Sequence, residues 1–267
     1  MPELPEIETI KRSFQPLNGQ PLAAIRIYRP DMIRQEEFAP ELLQNDCWED
    51  VLRRGKYLCF LFAEKKRWMT VHLGMSGRFF QADSLPEEKH IHMVIELKNG
   101  LYLIFQDPRR FGGFWFTLGL PEPLVKMGPE PLEEEFTWQY LQKKLLNRKT
   151  AIKNLLLNQA LVAGIGNIYA DEALFIAGVF PERKAESLSQ TEIKRLHRAV
   201  IQVLEESIAA RGTTFRDYRD GLNQAGSFQQ RLLVYGREGE ACRICGQKIE
   251  SIRLGGRSTH FCSNCQK

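Results

Sequence analysis

Four cysteines near the end of the chain stand in two closely spaced pairs. Two residues separate Cys242 from Cys245 and Cys262 from Cys265, and sixteen residues lie between the pairs. This spacing is typical of a zinc site in which each pair supplies two thiolates to one tetrahedral ion. Because cysteines fill all four positions, we expect one zinc ion that is structural rather than catalytic.

The segment between the two cysteine pairs predicts a basic hairpin. Arg253 and Arg257 flank two glycines, and a guanidinium is suited to bidentate contact with phosphate. Cys47 and Cys59 lack any metal-ligand spacing, so we expect them to be buried thiols.

Basic residues are concentrated toward the end of the sequence. From Arg211 onward, ten Arg or Lys stand against five Asp or Glu, whereas the net charge of the whole chain is only +4. A basic end on a nearly neutral body is the charge distribution expected of a phosphate-binding surface. A solvated face without a partner is the alternative.

A Gly-Ile-Gly turn predicts a second feature that could bind an anion. Gly164 and Gly166 interrupt two helical patterns, and Asn167 follows where an N-cap residue belongs. The free N–H groups at a helix start attract anions. Together with the basic hairpin, this turn favours phosphate binding.

The elements that must position these residues change character along the chain. A short helix is predicted within the first twenty residues, and strands follow over 23–116, with Asn99-Gly100 as a two-residue hairpin turn. Four prolines and two glycines over 118–132 indicate a linker. Helices are then predicted at Trp138–Leu146, Ala151–Leu157, Ile168–Ala177 and Gln190–Ala210.

These patterns predict an α+β multidomain fold. We expect an N-terminal β-sandwich domain with flanking helices at 1–117, a linker at 118–132, a helical domain at 133–231 and a four-cysteine zinc finger at 232–267. The polar stretch 212–228 has no clear periodicity, and loops of that length in compact domains are usually functional or mobile.

Composition excludes several classes of protein. No run approaches about 20 uninterrupted apolar residues, so no membrane span is predicted. Glu3, Glu6 and Glu8 precede any basic residue, which is the wrong charge for a signal or transit peptide. We therefore expect a cytoplasmic protein whose cysteines are thiols or metal ligands.

Six motifs, taken in order, resemble those of the bacterial formamidopyrimidine-DNA glycosylases. They run from the first residues to the last: Pro2-Glu3-Leu4-Pro5-Glu6, Arg54-Gly55-Lys56-Tyr57-Leu58, His72-Leu73-Gly74-Met75-Ser76-Gly77-Arg78, Asp107-Pro108-Arg109-Arg110-Phe111-Gly112, Gly164-Ile165-Gly166-Asn167-Ile168-Tyr169 and Thr259-His260-Phe261-Cys262. The resemblance implies an N-terminal β-sandwich, a helix–two-turns–helix domain and a zinc finger. It also implies a monomer that removes 8-oxoguanine and ring-opened purines from damaged double-stranded DNA and then cleaves the strand. Such a protein would be associated with the nucleoid when bound.

The same resemblance implies a role for each catalytic candidate. Once Met1 is removed, the amine of Pro2 would attack C1′ of the damaged nucleotide, and Glu3 would be the general acid for base loss. Lys56 is assigned to β-elimination and phosphate contact, Arg257 to δ-elimination, and Glu6 to support of the site.

The resemblance also implies how DNA is held. A base must leave the stack to be cut, and Met75, Arg109 and Phe111 match the residues that fill the resulting gap. An ordinary core position at the end of a strand is the alternative for all three, and the sequence alone favours it for Met75. Backbone contacts are assigned to His72, His90, Lys149, Lys153 and Asn167. His90 and His92 alternate, and His90 is chosen because the family's His-x-His begins there. Arg216 and Tyr218 are expected to order the lesion-capping loop at 213–228.

Two rival interpretations remain open on the sequence. The related endonuclease VIII group prefers oxidised pyrimidines but usually begins Pro-Glu-Gly-Pro, whereas this chain has Leu4 and the Asp107–Phe111 motif. A non-catalytic DNA-binding protein would need neither Pro2 nor Glu3.

Overall fold

The computed structural model describes residues 1–62, 66–215 and 217–267 and divides into two compact units. One unit combines Met1–Lys126 with Ile208–Gln229, and the other combines Met127–Ser207 with Gln230–Lys267. The three boundaries that divide the chain into four segments in the sequence remain predictions. The capping loop at 213–228 was predicted to be part of the helical domain, but in the structure it lies in the same compact unit as Met1–Lys126.

The first unit is built on two β-sheets. Their strands are β1 Leu22–Ile27, β2 Ile33–Glu36, β3 Asp50–Arg54, β4 Tyr57–Phe62, β5 Arg67–His72, β6 Arg78–Ala82, β7 Ile91–Leu97, β8 Tyr102–Gln106 and β9 Gly113–Thr117. The four-stranded sheet has the order β1-β7-β8-β6 and is antiparallel throughout. The five-stranded sheet has the order β2-β9-β5-β4-β3, in which β2 pairs with β9 in parallel and the other pairs are antiparallel.

Aromatic side chains join the two sheets into one core. Phe105 on β8 meets Phe114 on β9 edge to face, with 4.8 Å between ring centroids. Helix α1, Leu4–Phe14, adds Phe14, whose ring lies 5.1 Å from that of Phe79 and 6.2 Å from that of Phe60. Edge-to-face packing of buried rings adds to the free energy gained from removing them from water. The β-sandwich with a flanking helix is therefore confirmed.

The second unit is mainly helical and ends in a hairpin. Its helices and strands are α3 Trp138–Leu145, α4 Ile152–Leu156, α5 Asn167–Ala177, the Gln190–Ser207 portion of α6 Gln190–Ala209, β10 Glu250–Leu254 and β11 Arg257–Phe261; the short α2, Glu122–Val125, precedes it in the first unit. Helix α5 ends at Ala177, and Gly178 forms its C-cap with a left-handed φ of 68°, a conformation that residues with a side chain rarely adopt.

Two local predictions are partly wrong. The predicted turn at Asn99-Gly100 does join β7 to β8, but its two-residue length is wrong. The N–H of Leu97 donates to the carbonyl of Leu101 at 2.8 Å, so three residues form the turn, and Gly100 takes the left-handed φ of 89°. The assignment of Asn167 as an N-cap is wrong by one residue, because Gly166 is the cap and Asn167 begins the helix. The Asn167 side chain donates to the carbonyl of Ser258 at 2.9 Å instead of capping α5. Among the described residues, no helix is long and apolar enough to cross a membrane.

Candidate functional site

Pro2 and Glu3 lie directly before the first turn of α1, and both are buried. Glu6 fixes this helix start, because its Oε2 accepts the N–H of Glu3 at 2.8 Å. Its other oxygen, Oε1, accepts the N–H of Thr213 at 2.7 Å. One carboxylate thus holds the segment that carries Pro2 against the beginning of the capping loop.

Lys56 lies in the β3–β4 turn, which an ion pair fastens to α1. Arg53 Nε lies 3.0 Å from Glu8 Oε2, and the same guanidinium donates to the carbonyl of Gly55 at 3.4 Å. Burial alone would raise the pKa of Glu8, but attraction by Arg53 and Lys11 and the hydrogen bonds from Arg53 and Arg12 outweigh it and hold that pKa below its usual value. Glu8 is therefore a carboxylate at neutral pH. Lys56, which is 8% exposed, lies in the turn that this ion pair holds to α1.

His72 is a neutral imidazole close to Lys56. Burial, with the positive charges of Lys56 and Arg34, lowers its pKa to about 4. The N–H of Gly74 donates to His72 Nδ1 at 3.2 Å, so the neutral ring carries its proton on Nε2. A neutral N–H donor of this kind could hydrogen-bond a phosphate without forming an ion pair.

The three predicted gap-filling residues lie on two adjoining turns and reach solvent. Met75 is 46% exposed and Phe111 is 54% exposed, so the core alternative for Met75 does not describe this structure. The Arg109 guanidinium lies over the Phe111 ring, 4.7 Å from its centroid. Gly74 permits the two turns to meet, because a Cβ there would lie 2.5 Å from the backbone of Phe111 and Gly112.

The histidines that alternate at the start of β7 have different surroundings. His90 is exposed and adopts a left-handed φ of 68°. His92 is buried, and its Nε2 lies 2.8 Å from the carbonyl oxygen of Asp107. His90 is therefore the one of the pair that an external phosphate could reach.

The capping loop is tied to α1 and internally cross-linked. Tyr218 is buried, and its hydroxyl donates to the carbonyl of Glu6 at 3.2 Å. Within the loop, Oδ1 of buried Asp220 accepts the N–H groups of Leu222 and Gln224, each at 2.9 Å. Tyr218 thus ties this loop to α1, and its assigned role in DNA binding stays a prediction. Arg216 lies outside the described residues.

In the second unit, Arg257 is exposed at the start of β11, after a turn made by Gly255 and Gly256, whose φ values are 56° and 77°. A Cβ on Gly255 would lie 2.7 Å from Asn154 Oδ1. The turn therefore needs glycine both for its backbone conformation and for its close approach to Asn154.

Lys153 anchors the hairpin from below. Its Nζ lies 2.6 Å from Asp171 Oδ1, and neither side chain is exposed. The same Nζ donates to Thr259 Oγ1 at 2.8 Å and to the carbonyl of Ser258 at 3.0 Å. This placement does not fit the direct DNA-backbone contact that the resemblance implies for Lys153, because a phosphate would have to displace these buried partners. Lys149, by contrast, is exposed on the turn after α3.

The four finger cysteines fit a single zinc ion. Their sulfur atoms all lie within 4.8 Å of one another, with 3.9 Å between those of Cys242 and Cys265 and 3.5 Å between those of Cys245 and Cys262. Tetrahedral zinc with Zn–S bonds of about 2.3 Å requires S–S separations of roughly 3.8 Å. Cys59 is buried and Cys47 is half-buried, apart from this cluster.

Sequence reasoning assigned no role to two acidic residues that organise these sites. Asp107 was noted within a motif, and its position before a proline turn is a recognisable signal for bonding to its own backbone. Asp171 offered no comparable signal, because its partners Lys153 and His260 are 18 and 89 residues away in sequence.

Comparison with known families matches three parts of the chain. Residues 1–114 match the formamidopyrimidine-DNA glycosylase N-terminal domain, and residues 127–219 match the H2TH domain of the same glycosylase. Residues 239–267 match the zinc finger found in FPG and IleRS. With the clustered cysteines, this match supports one structural zinc ion.

Full-length relatives agree with these matches. The chain is 49% identical to the formamidopyrimidine-DNA glycosylase of Syntrophomonas wolfei, and the alignment covers 100% of both chains. It is 46% identical to that of Desulforamulus reducens, over 100% of this chain and 99% of the relative. Among solved structures, MutM (Fpg) from Thermus thermophilus aligns with a TM-score of 0.90 at 40% identity, over 99% of this chain and 98% of that one. A Lactococcus lactis Fpg mutant in complex with Fapy-dG DNA aligns with a TM-score of 0.92 at 36% identity, over 100% of both chains. The chain belongs to the formamidopyrimidine-DNA glycosylase family.

Proposed function

We propose that this protein is a bifunctional DNA glycosylase and AP lyase of base excision repair. It excises oxidised purines, including 8-oxoguanine and formamidopyrimidines, from duplex DNA and then nicks the strand by β,δ-elimination. The names of its relatives and the damaged DNA in related complexes support this substrate class. The observation that carries the proposal is the burial of Pro2 and Glu3 at the start of α1, in the compact unit that also holds Lys56.

The first step exchanges one C–N bond for another. After removal of Met1, the secondary amine of Pro2 attacks C1′ of the damaged nucleotide, and the bond from C1′ to the base breaks. An α-amine titrates near pH 8, so a useful fraction is unprotonated at neutral pH. Glu3 supplies the proton that the departing base requires. Glu6 keeps Glu3 and the capping loop in register through its two N–H contacts.

The second stage cleaves the strand through the Schiff base. Opening of the sugar ring and loss of the amine proton leave an iminium bond between Pro2 and C1′, which acidifies the C2′ hydrogen. Removal of that hydrogen expels the 3′ phosphate, and a second elimination expels the 5′ phosphate. Lys56 serves the first elimination and Arg257 the second. Water then hydrolyses the iminium and restores the Pro2 amine.

Other residues of the protein bind the DNA. Met75, Arg109 and Phe111 occupy the gap left by the displaced nucleotide, with the guanidinium available to the orphaned base. His72, His90, Lys149 and Asn167 contact the sugar–phosphate backbone, and the zinc ion fixes the finger that presents Arg257. The protein acts on DNA as a monomer, in the cytoplasm and at the nucleoid.

Borohydride trapping tests the central step. Reduction of the iminium should link the protein covalently to duplex DNA that carries 8-oxoguanine opposite cytosine. Mass spectrometry of the linked peptide should locate the bond at Pro2. A wild-type protein that excises the base without forming a trapped species, or a bond at a lysine instead, would contradict the Pro2 assignment.

The Glu3→Gln variant separates base loss from Schiff-base chemistry. It retains the amine and loses the acid, so excision of 8-oxoguanine should fall by about a hundredfold or more. Trapping on DNA that already contains an abasic site should persist, because no base has to leave. Equal loss on both substrates would remove Glu3 from the role of general acid.

A comparison of lesions distinguishes this proposal from its closest rival. Single-turnover rates should be higher for 8-oxoguanine than for an oxidised pyrimidine in the same sequence. Faster excision of the oxidised pyrimidine would place the protein's preference with that of the endonuclease VIII group. Binding without excision of either base would support a non-catalytic protein.

A further inference from the structure

We propose that Asp107 and Ser76 are positioning residues that set the three gap-filling side chains in place before DNA binds. The inference rests on the proposed function, because it concerns how the protein fills the gap left by a displaced nucleotide. Neither side chain is among the residues to which the resemblance gave a role. Asp107 is fully buried and Ser76 is 5% exposed.

The carboxylate of Asp107 joins the two turns that carry the gap-filling residues. Its Oδ1 accepts the hydroxyl of Ser76, the residue after Met75, at 2.7 Å. Its Oδ2 accepts the N–H of Gly112, the residue after Phe111, at 2.9 Å. The Asp107 side chain thus accepts hydrogen bonds from the residues that follow Met75 and Phe111, the two apolar gap-filling residues.

The third filler is held by the same group. The N–H of Arg109 donates to Asp107 Oδ1 at 3.2 Å, and the N–H of Arg110 donates to the Asp107 carbonyl at 3.2 Å. These contacts form a tight turn in which Arg110 adopts a left-handed φ of 55°. The turn directs Arg109 outward, where its guanidinium lies over the Phe111 ring.

The turn has little freedom to adopt another arrangement. His92 Nε2 lies 2.8 Å from the Asp107 carbonyl, and Arg34 donates to the carbonyl of Gly112 at 2.9 Å. Hydrogen bonds to a buried charge are stronger than neutral ones, and their loss leaves an unsatisfied carboxylate. The exposed side chains therefore project from a backbone that is already ordered.

Preorganisation matters only when there is a gap to fill. In a duplex, extrusion of the damaged nucleotide and insertion of the fillers occur together, so ordering the fillers in advance lowers the cost of extrusion. A single-stranded abasic site has no orphaned base and no gap. Weakening the Asp107 contacts should therefore slow reactions on duplex DNA and spare the lyase reaction on single strands.

The test compares Ser76→Ala with wild type and with Thr117→Val. Ser76→Ala removes only the bond between the Met75 turn and Asp107. Thr117→Val removes another buried hydroxyl of the same unit, which donates to the carbonyl of Gly119 at 2.6 Å. Asp107→Asn is a second test variant, because an amide cannot accept all three hydrogen bonds made to the carboxylate.

Two substrates provide the readout. Excision of 8-oxoguanine from duplex DNA should fall about tenfold in Ser76→Ala, in line with the loss of one hydrogen bond to a charged acceptor. Cleavage of a single-stranded abasic oligonucleotide should stay within about twofold of wild type. The fluorescence of 2-aminopurine beside the lesion should report slower extrusion. Thr117→Val should match wild type in all three measurements.

The possible failures have different meanings. Duplex excision by Ser76→Ala at the wild-type rate, or equal losses on both substrates, would overturn the positioning role. A wild-type protein with neither excision nor lyase activity would overturn the proposed function itself, and this inference with it.

Discussion

At the scale of single residues, His72 shows how surroundings decide the form of a contact. Burial and two nearby cations lower its pKa to about 4, so the ring is neutral at pH 7. The Gly74 N–H fixes the tautomer by donating to Nδ1. A contact from His72 to phosphate would therefore be a neutral hydrogen bond, which releases no counterion and does not add to the salt dependence of binding.

The lowered pKa of His72 predicts a pH dependence of stability. In the unfolded chain the ring is protonated below about pH 6.5, whereas in the folded protein it stays neutral until about pH 4. The unfolded state thus binds more protons between these values, and the free energy of unfolding falls as the pH drops through this window. Wild type should therefore lose stability between pH 7.5 and pH 5. In the His72→Gln variant this loss should be smaller by about 1 to 2 kcal/mol.

Urea denaturation at the two pH values measures this difference. His90→Gln is the matched control, because it removes an exposed histidine from the same unit. If both variants lose as much stability as wild type over this range, the folded His72 does not resist protonation, and its pKa is not lowered as stated.

At the scale of single residues, sequence could predict a feature only where the residues that form it follow a recognisable spacing along the chain. The cysteine spacing predicts the metal cluster because both pairs of ligands are set by the chain itself. Lys153 was assigned to DNA by the family resemblance, yet it is buried against Asp171 and the hairpin. The Glu6–Thr213 contact spans 207 residues, and no pattern in either segment announces the other.

At the scale of elements, the helices and strands followed their periodicity, whereas the capping loop did not. Its segment lacks a pattern because buried Asp220 and the contacts to α1 order it, rather than a repeating apolar face. The N-cap of α5 was misplaced because the Asn167 amide bonds to a hairpin that is distant in sequence. Long-range hydrogen bonds therefore set the details that local propensity left undetermined.

The zinc finger gives a prediction at this scale. The finger packs around a small apolar cluster in which Cys242 and Cys262 lie with Phe175, Val234 and Ile249. Because metal ligands form part of this cluster, we expect the metal to supply much of the order of the finger. Treatment with a strong chelator should release one zinc ion per chain, measured with a colorimetric indicator. It should also weaken binding to duplex DNA by at least about tenfold while leaving the strand signal in circular dichroism largely unchanged.

Cysteine variants make the test specific. Cys245→Ser should reproduce the effect of the chelator, whereas Cys47→Ser should retain both zinc and binding, because Cys47 lies outside the cluster. Full DNA affinity in protein shown to be free of zinc would exclude a role for the metal in ordering the finger.

At the scale of the whole molecule, the candidate catalytic residues and the basic residues of the finger belong to different compact units. The chain passes between the two compact units after Lys126, after Ser207 and after Gln229. The candidates for bond breaking at Pro2, Glu3 and Lys56 belong to the first unit, and the finger with Arg257 belongs to the second. Because the excess of basic residues is near the end of the sequence, we expect the second unit to contribute strongly to electrostatic affinity for DNA.

Salt dependence measures that contribution. If Arg257 contacts one phosphate, Arg257→Ala should weaken duplex binding and reduce the slope of log K against log salt by about 0.9. Arg195→Ala removes the same charge from an exposed position on α6 in the second unit, and its slope should equal that of wild type. Equal reductions in both variants would show that net charge, rather than a specific contact, sets the slope. An unchanged slope for Arg257→Ala would mean that its guanidinium faces away from the DNA, and the δ-elimination role proposed for it would fail as well.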